Sequence, residues 1–123
     1  MCNILVIDDE ESIVLMITMA LARYGCNVEI ATDSTAGINM FDEGHFNLVI
    51  TDIRMPGIDG NGVARHIRNS KKPSTPIIGM SGTPWLHDGR YFDAILSKPF
   101  SIKVLIDTVK YLAKAPLKKL AVE

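Results

Sequence analysis

Residues 47–60 read NLVITDIRMPGIDG, and the reading of this stretch decides the fold. The run Leu48-Val49-Ile50-Thr51 is apolar and β-branched and stops abruptly at Asp52. Turn residues follow, first Pro56-Gly57 and then Asp59-Gly60. Periodicity alone does not separate a short buried strand from a piece of buried helix. Shortness, β-branching and the flanking turn residues favour a strand. Asp52 then stands at the carboxyl end of a buried strand, at the mouth of a loop. A carboxylate there is either a turn-former or cap, or a reactive group.

The same punctuation recurs on both sides. Asn3 to Ile7 is a short apolar run that stops at Asp8-Asp9. Ile13 to Tyr24 reads as a helix closed by Gly25. Val28 to Ala31 is a second strand, and Ser34 to Phe41 a second helix ending near Gly44. After the Asp52 strand come a helix over Val63 to Ile67 and a strand from Pro76 to Met80 that ends at Ser81. A fifth strand, Ala94 to Leu96, ends at Ser97-Lys98. Ile102 to Leu112 is the last helix, with Ser101 as N-cap and Pro116 as stop. This alternation predicts an α/β fold, a doubly wound five-stranded parallel sheet of flavodoxin-like order 2-1-3-4-5, buried on both faces. The space between Ser81 and the fifth strand is short. Pro84 can begin a helix and Gly89 weakens one, so a shortened fourth helix of about two turns at most is expected from near Trp85.

The 123 residues suit one domain over 1–123, with a core from about 3 to 115 and a short C-terminal tail. Met1 and the short tail favour a whole gene product. A content of 47% hydrophobic and 22% charged residues fits a soluble globular chain. The net charge of -1 leaves no basic footprint for nucleic acid, and Lys71-Lys72 and Lys118-Lys119 read as solvated ends. The most apolar stretch, Ile13 to Leu21, is interrupted by Thr18 and too short to span a bilayer. No secretory signal precedes the first strand, so a cytoplasmic setting is expected, with Cys2 and Cys26 as reduced, inert or weakly reactive thiols. His45, His66 and His87 lack metal spacing and read as surface residues.

Taken together, the strand ends form one set. They deliver Asp8 and Asp9, Asp52, Ser81 and Lys98 to one edge of the sheet. Crowded carboxylates raise one another's pKa unless a cation intervenes. A hard divalent ion held by few carboxylates, with positions left open for phosphate oxygens, is typical of Mg²⁺. With the Lys98 ammonium and the Ser81 hydroxyl alongside, the layout suits transfer of a phosphoryl group onto a carboxylate oxygen. Each member has a blander reading. Asp8 and Asp9 could cap the first helix, and Asp8 with Glu11 has capping-box spacing. Asp52 could be a turn-former, Ser81 a strand-end cap and Lys98 a solvated lysine. Agreement among four independent strand ends favours the joint reading.

With Asp8-Asp9 after a strand, Asp52 in DIRMPGIDG, Ser81 after PIIGM and Lys98-Pro99-Phe100, the chain resembles, over essentially its whole length, the receiver domain of bacterial two-component response regulators. The resemblance implies that Asp52 accepts a phosphoryl group from a sensor histidine kinase. It implies that Asp9 and Asp52 ligate Mg²⁺ directly, Asp8 mostly through water, and that the Arg54 carbonyl completes the protein ligands. Lys98 would bind the acyl phosphate, Ser81 would report it, and Lys98-Pro99 would be cis. Arg54 and Thr83 occupy positions that tune the lifetime of the phosphoryl group. The first helix is where the kinase docks, through Val14 and Leu15, which are expected to face outward with Ala22, with Met19 at the margin and Ile13, Ile17, Ala20, Leu21 and Tyr24 inward.

The chain departs from the pattern at Ile95, where the family has an aromatic switch residue. Tyr91 and Phe92 nearby read as core packing, and Trp85 as a ring over a thin patch of core or part of a partner site. The expected function is a stand-alone phosphoacceptor switch, not an enzyme, whose output is a downstream protein contact. The alternative is a phosphate carrier in a relay through a histidine phosphotransfer protein. An aspartate-nucleophile phosphatase would need an acid two residues after Asp52, where Arg54 stands. A non-phosphorylated scaffold would not need the full set.

Overall fold

A computed structural model describes residues 2–86, 89–113 and 116–120, with the backbone alone for Leu86. Met1 and His87 lie outside the described residues. The elements are β1 (Cys2–Ile7), α1 (Glu11–Ala22), β2 (Cys26–Ala31), α2 (Ser34–Glu43), β3 (Leu48–Asp52), α3 (Gly60–Arg68), β4 (Ile77–Ser81), β5 (Ala94–Ser97) and α4 (Ile102–Leu112). The strands form one parallel sheet in the order β2-β1-β3-β4-β5, as the apolar runs predict.

Side chains alternate across the sheet, because successive residues of a strand point to opposite faces. Ile4 and Val6 of β1, Leu48 and Ile50 of β3, and Ile78 and Met80 of β4 join one core with Ile17 and Leu21 of α1 and Leu105 and Val109 of α4. Leu5, Ile7, Val49 and Ile77 join the other, with Phe41 of α2 and Val63 and Ile67 of α3. Continuous apolar strands are therefore what a sheet covered on both faces requires. The caps are local: Asp33, Asp59 and Ser101 accept the N–H groups of Ala36, Gly62 and Val104 at the starts of α2, α3 and α4. Helix α4 ends at Leu112, before Pro116, and Leu117 of the tail packs on the first core.

Two expectations about surfaces need correction. Val14 is buried, at 8% exposure, while Ile13 is only half-buried. The inward stripe of α1 is Val14, Ile17, Ala20 and Leu21 at helical spacing, with Ile13 and Tyr24 packed at its margins, so the expected face holds and Val14 joins it. Leu15 and Ala22 do face solvent, and Met19 stands fully outside.

The expected two-turn fourth helix is a single 3₁₀ turn, Pro84–Leu86; the rest of that expectation falls partly on residues 87 and 88, outside the described residues. Phe92 takes over part of the covering role. A Cβ added at Gly79 of β4 would lie 3.0 Å from the Phe92 ring and 2.9 Å from Ile53, so the bare glycine lets the ring sit on the strand. Tyr91 and Phe92 pack against the second core, as expected. Trp85 does not cover core; the residue is 75% exposed.

Candidate functional site

All five strands run the same way, so their carboxyl ends share one edge. The register sets Ile7 beside Thr51, Asp52 beside Met80 and Ser81 beside Ser97. Main-chain bonds extend the ladders past the strands: Ile53 N–H donates to Met80, Lys98 N–H to Ser81 and Asp8 N–H to Ala31. The residues immediately beyond the ladders are thereby held where the chain leaves the sheet. Helix α3 closes in from one side. Gly60 donates its N–H to the Ile53 carbonyl at 2.8 Å, and a Cβ there would come within 2.5 Å of the Asp52 carbonyl oxygen. Gly57 turns the intervening loop with φ +76.

Lys98 is the centre of the site. Its ammonium donates to Asp8 Oδ2 at 3.2 Å and to Glu10 Oε1 at 3.2 Å, and lies 3.4 Å from Asp52 Oδ1. Asp8 is fully buried and Asp52 nearly so, whereas Glu10 is exposed. Burial pushes the Asp52 carboxyl above its usual range; Lys98 pulls it down and Asp8 pushes it up again. Burial also raises Asp8, against the Glu10 N–H bond and Lys98. Burial works to lower the Lys98 ammonium, but Asp8, Asp52 and Glu10 together outweigh it and raise its pKa. Three carboxylates against one ammonium leave the edge under-neutralised.

The oxygens of Asp8, Glu10 and Asp52 converge within 4.8 Å of one another. A set of hard carboxylate oxygens fits a divalent cation of the oxygen-loving kind. Asp9 is exposed and stands outside this convergent group. Asp8 accepts the Glu10 N–H on Oδ1 at 2.9 Å, and this turn brings Glu10, two residues on, back to the ammonium. The same bond replaces the capping box: α1 is capped by Glu10, with no side-chain bond. Glu10 is the site residue that sequence reasoning missed, although the third acid of Asp8-Asp9-Glu10 was there to be read.

Ser81 is buried, and its hydroxyl accepts the Thr83 N–H at 3.0 Å with the Thr83 hydroxyl 3.5 Å away. Arg54 is exposed at the mouth, and its N–H reaches the Asp52 carboxylate. Ile95 is half-buried and Lys98-Pro99 is cis. Beside the site, Leu15, Thr18 and Ile30 wall a cleft of about 400 Å³, with Asp9 and Glu11 on its rim. Cys2 and Cys26 face each other across β1 and β2, both buried. Burial, with Cys2 alongside, pushes the Cys26 thiol up to about 12, and both cysteines stand at the starts of their strands, at the edge opposite the site. His66 pairs with Asp42 at 2.8 Å, away from this edge. Among the described residues no helix is long and apolar enough to cross a membrane.

A parallel 2-1-3-4-5 sheet with an aspartate at the end of its central strand, a lysine against it and further acids beside both defines a signalling-receiver architecture. The chain belongs to the response regulator receiver family, whose domain matches residues 4–110. It is 34% identical over 114 residues to protein PilG of Pseudomonas aeruginosa, covering 88% of this chain and 84% of PilG. It is 31% identical over 106 residues to the transcription factor SKN7 of Saccharomyces cerevisiae, covering 80% of this chain but only 17% of SKN7. Among solved structures, the response regulator TrrA of Thermotoga maritima, in complex with Mg(2+)-BeF, superposes with a TM-score of 0.83 at 33% identity. That superposition covers 91% of this chain and 99% of TrrA.

Proposed function

We propose that this chain is a phosphoacceptor switch in which Asp52 receives a phosphoryl group from a sensor histidine kinase. The observation that carries this reading is the Lys98 ammonium held between two buried carboxylates, Asp8 and Asp52, at the carboxyl edge of the sheet. An oxygen of Asp52 attacks the phosphorus of a phosphohistidine. The P–N bond breaks, and the imidazole leaves with the electron pair and takes up a proton. Lys98 pairs with the oxygens of the transferred group. Hydrolysis runs through attack of water on the same phosphorus, which breaks the P–O bond and returns the carboxylate and inorganic phosphate. The chemistry is positioning and charge neutralisation more than bond activation.

Asp8 and Asp52, with Asp9 and the Arg54 carbonyl by family resemblance, would hold Mg²⁺. When bound, the ion neutralises carboxylate and phosphoryl oxygens together. Its support here is the convergent oxygen set, and the likeness to a receiver solved with Mg(2+)-BeF. Arg54 and Thr83 stand at the mouth and beside Ser81, where they would govern access of water. Ile95 offers no ring to turn inward, so the state would be reported through Ser81 towards the exposed Trp85, four residues on. Leu15 would meet the kinase; the buried Val14 would support it from beneath. The output is a partner contact or onward transfer to a histidine phosphotransfer protein, and both use this one site.

Intact-mass spectrometry after incubation with Mg²⁺ and acetyl phosphate, or with beryllofluoride, tests the reading. The expected result is one adduct on the wild-type chain and none on Asp52→Asn. Equal labelling of Asp52→Asn would move the acceptor elsewhere, and no adduct on either chain would leave a scaffold.

A further inference from the structure

Glu10 belongs to the convergent oxygen set but is given no ligand role in the mechanism above, and it touches the residue at its centre. Its carboxylate is as close to the Lys98 ammonium as that of Asp8, 3.2 Å in each case. The two differ in cost. Asp8 is completely buried, and its second oxygen is already engaged by the Glu10 N–H. The Glu10 side chain is 55% exposed, so it carries charge without a large desolvation penalty. Lys98 itself is only 15% exposed. A buried ammonium deprived of its counter-charges is strongly disfavoured.

These contacts create a competition. Asp8 and Asp52 are needed both by Lys98 and by any divalent cation. If they give their oxygens to a cation, the ammonium loses two of its three partners. We propose that Glu10 is a positioning residue: it is the partner on which Lys98 rests when Asp8 and Asp52 turn to a divalent cation. It thereby lowers the energy required for the cation to enter and keeps the ammonium poised at the site for an incoming phosphoryl group. This rests on the proposed phosphoacceptor reading and adds to it a residue outside the family ligand set.

The experiment is a Mn²⁺ titration followed by electron paramagnetic resonance of the free ion, with no phosphoryl donor present. It uses the wild-type chain, Glu10→Gln, Lys98→Ala and the double variant. Glu10→Gln is expected to weaken Mn²⁺ binding about five-fold in the wild-type background, the size expected for a coupled charged neighbour. In the Lys98→Ala background the same change should cost less than about two-fold, because the ammonium that Glu10 serves is gone. Equal losses in both backgrounds would overturn the proposal and make Glu10 a plain source of negative charge. No loss in either would overturn it as well, while leaving a functional cation site. Failure of the wild-type chain to bind Mn²⁺ would instead overturn the phosphoacceptor reading on which the proposal stands. Circular dichroism of each variant separates lost binding from lost fold.

Discussion

The two edges of the sheet use charge in opposite ways. At the carboxyl edge, three carboxylates share one ammonium, and burial raises the pKa of Asp8 and Asp52. At the amino edge, cations are matched to acceptors. Arg68 donates to the carbonyls of Tyr91, Pro73 and Thr75 and to the Asp93 carboxylate, at 2.7 to 3.2 Å. Asp93 in turn accepts the Ile77 N–H at the start of β4. Lys72 donates to the Phe41 and Gly44 carbonyls at the end of α2 and lies over the Phe41 ring. One edge is knitted shut, and the other is left short of positive charge. On the proposed reading, a cation and a phosphoryl group enter at one end, and the opposite end is left to hold the layers together. That need is greater here because the 82–93 connection carries only a 3₁₀ turn among its described residues.

The contrast between the edges depends most heavily on Arg68. Arg68→Ala strips three carbonyls and a carboxylate of a shared donor, and should lower stability by about 2–3 kcal/mol in urea unfolding. Arg68→Lys should recover only part of this, since one ammonium cannot reproduce the planar fork. A loss under about 1 kcal/mol would mean that the amino edge is not what secures the β4–β5 connection.

The carboxyl edge should respond with the opposite sign. A raised folded-state pKa means that the native chain holds the Asp52 proton more tightly than the unfolded chain. Stability therefore falls as pH rises from the unfolded value, near 3.9, through the raised folded value. Asp52→Asn removes that loss, and Lys98 keeps Asp8 and Glu10 as partners. The variant should be more stable than wild type by about 1 kcal/mol at neutral pH. The gain should vanish below about pH 4, where the carboxyl is protonated in both states. A variant less stable than wild type at pH 7 would show that Asp52 is a net structural asset and that the contrast between the edges is false.

How much of this could be read from the chain follows from what each signal depends on. The strand runs over 4–7, 48–50 and 77–80 are legible because strands buried on both faces are filled chiefly by apolar side chains. Asp8, Asp52 and Ser81 are legible because each directly ends or follows such a run, and Lys98 because it follows the shorter strand Ala94–Ser97. Glu10 was hidden because its place depends on a turn made by Asp8, a contact that has no periodicity. Val14 was misplaced because a helix apolar round most of its circumference leaves the phase of its inward stripe ambiguous; only packing against the sheet resolves it. The fate of 82–93 was half-visible. Pro84 and Gly89 forecast a weak helix, but not that Phe92 would cover Gly79 in its place.

The smallest expected effect on stability lies on α1, beside the site and outside both charge networks. Leu15 is 60% exposed, so Leu15→Glu should change stability by less than about 0.5 kcal/mol. Its effect should fall on transfer alone. A carboxylate beside Asp9 and Glu11, on the wall of the cleft with Ile30, would oppose a partner that buries an apolar side chain there. Labelling by acetyl phosphate needs no such partner and should continue at the wild-type rate, while transfer from the kinase should fall by at least ten-fold. Equal losses with both donors would place the damage in the site itself. The proximity of Leu15 to Asp8 and Asp9 would then matter through charge, and α1 would belong with the carboxyl edge instead of standing apart as a docking face.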